Sequence, residues 1–349
     1  MQDKIAPSLR DGESLQHEVG ETYLENRGIR LEFGASVTGA ASVGDGVAAG
    51  FGNGIIAFFG FEEEPALVKA HESVVLCLAT DGESVLSGGD DGRFLRVSPD
   101  GSIQEIATFG TKWVDCVGAT RDWFACSSSR TVYLWSDEQS SPILLAHPST
   151  VGGIAFDKQG EQLAVAHYGG VTLWTYKNAE WTSLLLPWKG VHGDVDFSPD
   201  GRFLMTLMQE KAVHVWRLSD GADLEMSGYP KKVKSFSWVG ETPYLATSGT
   251  DEVICWPFDG KDGPLRRSPV CIGRRADQVV TCVHAFSKDK GVLAGYRDGA
   301  VFLVMLDETD DAFILRRPTD AEVTVIVLTE SLSHMLIGDA AGNVLWAPL

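Results

Sequence analysis

The chain has 349 residues, 44% of them hydrophobic and 22% charged, an ordinary balance for a globular protein and enough length for one large core. Its formal net charge of −19 argues against general nucleic-acid binding, because neutralising phosphates needs a net basic surface. Apolar runs are short and broken by turn residues, and none approaches the roughly 18–20 residues that a membrane span needs.

In chain order, residues 1–28 are polar, lack the apolar segment of a secretory signal and read as a flexible tail, so a cytoplasmic location is expected. The segment "IRLEF" (29–33) alternates Ile29, Leu31 and Phe33 with two charged residues, as a half-buried strand does. A pattern then recurs. "VAAGFGNGIIAFF", "VLSGGDDGRFLRV", "FACSSSRTVYLW", "QLAVAHYGGVTLW", "LMTLMQEKAVHVW", "LATSGTDEVICW", "VLAGYRDGAVFLV" and "MLIGDAAGNVLWA" end about 38–48 residues apart, which makes about eight repeats of ~41 residues.

An upstream strand and turn precede each of these segments. In "VDFSPDGRFL", Ser198-Pro199-Asp200-Gly201 fits a type I turn. A further extended segment, such as "SPILLAH" or "AFILRRP", follows each repeat. Each repeat therefore reads as three strands plus an outer fourth, with no convincing helical period. One such sheet cannot bury both faces, whereas several packed radially can.

On the "FSPDG", "SGGDDG" and "TSGTDE" turns and the terminal tryptophans Trp135, Trp174, Trp216 and Trp256, residues 29–349 resemble the WD-repeat β-propeller family. The repeats are degenerate: Ser136, Thr175, Arg217, Pro257 and Ala347 stand where that family has its aspartate, and Gly-His survives only as Ala70-His71 and Ala146-His147. The resemblance implies an all-β single propeller of eight four-stranded blades, with seven as the alternative. It also implies a buried bonded set in the second repeat from His71, Ser87 and Asp91, with Val97 in place of the tryptophan. "SGGDDG" then reads as a hairpin corner rather than a cation site, since calcium's spaced oxygen ligands are missing. The strand 29–33 is expected to pair with the last blade and close the ring, because "NVLWAPL" supplies only a third strand there.

Little in the sequence points to catalysis. Eight histidines are scattered, and six cysteines form no C-x-x-C pair; Cys77, Cys116 and Cys282, each in an apolar run, read as buried, reduced thiols. "GFGNG" (50–54) precedes a strand rather than a helix, so it is no dinucleotide loop. The carboxylates of "DETDDA" (307–312) read as a solvated loop. No metal, cofactor or catalytic residue is expected.

In a four-stranded blade the loops entering the inner strand and the hairpins between second and third strands share one face. The opposite face collects acidic residues, among them Asp81, Asp137, Glu138, Asp220, Asp259 and Asp307. Basic residues bunch on the first face: Lys231 and Lys232 before the sixth repeat, Arg274 and Arg275 before the seventh, Arg316 and Arg317 before the eighth, and Arg297 in a hairpin. On the same face Trp113 and Tyr229 stand at inner-strand entrances, Trp188 lies just before one and Tyr296 sits at a hairpin, and aromatic and arginine side chains dominate interface energetics. The expected function is a non-catalytic scaffold, either monomeric or a subunit of a hetero-complex. Its expected partner is an acidic or phosphorylated protein or peptide bound on these loops. The alternatives are a propeller hydrolase or lyase with a site at the channel mouth, and a reader of basic tails through the acidic face.

Overall fold

The computed structural model describes residues 20–60, 62, 64–136, 141–240, 243–286, 290–307 and 312–349. Apart from one short helix, Tyr23–Arg27, the regular elements of the described residues are antiparallel strands. Two compact bodies are distinguishable. One gathers the described parts of Met1–Ser36, Tyr229–Leu328 and Leu332–Leu349, and the other those of Val37–Gly228 and Thr329–Ser331.

The body beginning at Val37 holds four-stranded sheets over 37–69, 75–108 and 116–146, followed by a six-stranded sheet over 151–226. The body that includes Tyr229 holds four-stranded sheets over 236–272 and 280–316. Its third sheet joins Val323–Leu328, His334–Asp339 and Asn343–Pro348 to Ile29–Glu32. The expectation of eight separate sheets is corrected: among the described residues there are seven. The reason lies in the fourth and fifth repeats. Strand Gln162–Lys177 pairs with Val151–Phe156 through its first half and with Glu180–Phe197 through its second. Glu180–Phe197 in turn continues into pairing with Phe203–Met208, so the ladders of two repeats run on as one sheet.

Burial explains why the second strands read as apolar runs rather than alternating ones. Gly46–Phe51, Val85–Gly89, Phe203–Met208 and Gly291–Tyr296 are buried at every position, as strands covered on both faces are. The cover comes from neighbouring sheets. Within one body Val68, Val75, Leu95 and their neighbours share a cluster, and within the other Val239, Val253, Val283 and Phe302 do. Outer strands alternate instead: in Ala66–Lys69 only Val68 is buried. A device not visible in the sequence recurs at the first strands. The register slips by one residue after Val37, Val75, Val151, Val280 and Val323, a bulge that re-aims the backbone where these five repeats begin.

The flexible-tail expectation for residues 1–28 is corrected for its described part; residues 1–19 lie outside the described residues. Helix Tyr23–Arg27 has a full capping box: Thr22 Oγ1 accepts from Glu25 N–H, and Glu25 accepts from Thr22 N–H. Thr22 Oγ1 also donates to Leu315 O at 2.6 Å, and Leu24 is buried beside Leu345 and Ala347. Strand Ile29–Glu32 pairs antiparallel with Trp346–Asn343. No helix of the described residues is long and apolar enough to cross a membrane.

Candidate functional site

The corner quoted from the second repeat is held by its own chain. His71 Nδ1 lies 3.0 Å from Asp91 Oδ1, and Nε2 lies 2.9 Å from Ser87 Oγ. Asp91 also accepts from the N–H groups of Glu72 (3.0 Å) and Arg93 (3.1 Å), while Asp90 accepts from Val74 N–H (2.9 Å). Burial pushes the Asp91 carboxyl up, yet the bonds from His71 and the two amides outweigh it and hold the group below its ordinary range. Burial lowers the His71 pKa against the pull of Asp91, so a neutral imidazole donates to the carboxylate and accepts from Ser87. Val97 occupies the tryptophan position fully buried, and the set ends at Ser87. Gly92, at φ 76°, completes the turn with no room for a Cβ beneath the Gly110 carbonyl. Gly54 of "GFGNG" does the same under the His71 carbonyl (φ 79°), and strand Ile55–Phe59 follows it.

Other repeats keep the grip with different chemistry. In the sixth, Tyr229 takes the histidine's place: its hydroxyl lies 2.8 Å from Thr247 Oγ1 and accepts from Trp256 Nε1 at 2.8 Å. In the seventh, Arg275 donates twice to Asp298, at 2.9 and 2.8 Å, with its guanidinium over the rings of Tyr296 and Phe302. In the eighth, Arg316 pairs with fully buried Asp339 and donates to Thr319 Oγ1 at 3.1 Å. In the fourth, Trp174 Nε1 donates to His147 Nε2 at 3.1 Å, and in the fifth His192 Nδ1 lies 2.8 Å from Thr206 Oγ1. Trp135 and Trp216 are buried; Trp174 and Trp256 are half-buried.

Four residues expected on the binding loops are therefore corrected. Tyr229, Arg275, Tyr296 and Arg316 are all buried. Each has an intrachain partner, Tyr296 donating its hydroxyl to Gly273 O. Trp188 is half-buried and stacks on His214 at 4.2 Å. For Arg275 alone the sequence carries a partial signal, since Asp298 precedes Gly299 as Asp91 precedes Gly92; Asp339, the partner of Arg316, is followed by Ala340. Trp113, 59% exposed, stays in solvent on one body. On the other body Lys231, Lys232, Arg274 and Arg297 are exposed and Arg317 is half-buried. Arg274 reaches Asp251 at 3.1 Å with 74% of its side chain exposed, and Arg297 donates weakly to Asp277 O at 3.4 Å. The acidic positions Asp137, Glu138 and 308–311 lie outside the described residues.

Burial also shapes the titratable groups. Cys116 is pushed up to about 12 and Cys282 to about 11, first by burial, so both are unreactive thiols. No group of His, Cys, Asp or Glu among the described residues is arranged to hold a metal ion. Burial, then His167, pulls His147 down to about 4; burial, then His192, pulls His214 down to about 3. Both nitrogens of His214 lack a hydrogen-bond partner, and Asp223 at 3.6 Å is too far to supply one. A histidine whose folded pKa is depressed binds protons more readily when unfolded. Its stabilising neutrality is complete above pH ~6.5 and is lost as pH falls toward the folded value. Each of the two is expected to remove about 1.4 kcal/mol per pH unit over that window. Thermal melts between pH 7.5 and 4.5 check this; a flat melting temperature overturns it.

No protein-family profile matches the chain. It is 32% identical over 84 residues to WD repeat-containing protein 1-B of Xenopus laevis, a match covering 23% of this chain and 14% of that one. It is 24% identical over 198 residues to echinoderm microtubule-associated protein-like 2 of Homo sapiens, covering 52% of this chain and 28% of that one. The chain thus spans less than a third of the length of these relatives. The solved structure of the computationally designed Ika8 protein matches with a TM-score of 0.72 at 18% identity, over 91% of this chain and 98% of that one. The chain resembles WD-repeat proteins, and its fold is that of an all-β propeller with four-stranded blades.

Proposed function

We propose that the protein is a non-catalytic interaction scaffold and that the loops carrying Lys231, Lys232, Arg274 and Arg297 bind a partner segment rich in carboxylates or phosphates. One observation carries the reading. These four cations stand in solvent on loops whose bases are fixed by the Tyr229–Thr247–Trp256 set and the Arg275–Asp298 pair. Loops ordered before binding lose little freedom on binding, and solvent-exposed cations steer an anionic partner. In the same reading strand Ile29–Glu32 fastens the propeller, and the protein works in the cytoplasm.

Affinity capture at low salt with the full chain and a K231E/K232E/R274E/R297E variant tests the proposal. A partner held in stoichiometric amount by the wild type, released by added salt and absent from the variant, is the expected result. Capture of the same proteins by both chains sinks it.

A further inference from the structure

The rim of the body beginning at Val37 carries an open strand edge without charge. Strand Ile143–Ala146 and the first half of Glu180–Phe197 are neighbours, since Ile143 and Leu145 pack in one cluster with Tyr176 and Trp181. Between them they expose Leu144 at 62%, Leu184 at 59% and Leu185 at 51%. Residues Trp181–Leu186 pair on one side with Val171–Tyr176, and among the described residues no strand pairs with the other side. Exposed edges are ordinarily guarded by charges, as Lys69, Glu105, Glu225 and Arg30 do on other outer strands of this chain. No Asp, Glu, Lys or Arg occurs in 181–188 or in 139–156.

We propose that the edge Trp181–Leu186 joins two copies of this chain, strand against strand, in antiparallel register about a two-fold axis. A strand set beside its own reversed copy meets outward N–H groups with outward C=O groups along its length, so one edge suffices for both partners. Charge selects the place. A chain of net charge −19 repels its copy over most of its surface, and this segment brings no like charges together. Leu184 and Leu185 leave water on pairing. Pro187, which has no N–H, ends the run and limits the register to the residues before it. The inference is independent of the binding loops, which lie on other strands.

Sedimentation velocity and light scattering on the full chain over a concentration series test it. The expected result is a reversible dimer that tightens with added salt as repulsion is screened. Leu184→Lys and Leu185→Lys are expected to weaken it by about tenfold or more, with circular dichroism and melting unchanged because both side chains are exposed. Amide exchange over 181–186 should slow with concentration in the wild type alone. A monomer at every concentration, a dimer indifferent to both lysines, or open-ended polymer overturns the proposal.

Discussion

A chain lacking residues 1–34 is expected to be insoluble or to melt far below the full-length protein. The deleted segment supplies the fourth strand of the last sheet, with Ile29 opposite Trp346 and Leu31 opposite Val344. Its loss leaves Asn343–Pro348 as a naked edge, a template for aggregation. Leu24, 4% exposed, goes with it and uncovers Leu345 and Ala347; a buried leucine alone is worth roughly 2–3 kcal/mol. Gly28 shows how close the seat is, for a Cβ there would stand 2.7 Å from Leu345 Cδ1. Leu24→Asp keeps the strand and removes the helix's anchor, so it should melt between the truncated and intact proteins. Scanning calorimetry and the soluble fraction after expression read both. A truncated chain that melts normally shows that the segment does not hold the sheet.

The sequence made the repeat, the turns and the β class legible because these depend on local chemistry. Asp-Gly corners need a positive φ, and alternating outer strands need one wet face. Strand 29–33 was legible as a missing partner for "NVLWAPL". Three things were not. The capped turn Tyr23–Arg27 is a single turn, too short to show a period, and its anchor Leu24 sits in a polar run. The fusion of the fourth and fifth repeats depends on strands running on through Tyr168 and Val191, and the hydrophobic pattern there matches that of separate hairpins. The destination of the arginines was misread for a related reason. A charged residue in a loop is solvated by default, and only the distant aspartate decides otherwise. Arg274 and Arg275 are adjacent, yet the first is exposed and the second buried, because Asp298 lies 23 residues on within reach of only one.

That distinction sets the second large effect. Asp339→Ala is expected to cost about 3–5 kcal/mol, because it leaves the Arg316 guanidinium buried with Thr319 alone for company. Arg316→Met should cost less. Asp339 would keep Ala341 N–H, Asn343 N–H and the Asn343 side chain, all at 3.0–3.1 Å, so its charge would remain bonded. In the seventh repeat Arg275→Lys removes the fork that meets both Asp298 oxygens and the flat face that rests on Tyr296, so a conserved charge does not preserve the contact. Arg274→Ala, which breaks an exposed pair with Asp251, should fall within about 0.5 kcal/mol of wild type. Urea midpoints at low and high salt separate the two kinds of arginine. Salt screens a surface pair but leaves a buried one nearly untouched, so the Asp339→Ala loss should persist at high salt. If Asp339→Ala and Arg274→Ala prove equally mild, Arg316 is not a structural substitute for the missing histidine. It would then return to the set of residues available to a partner.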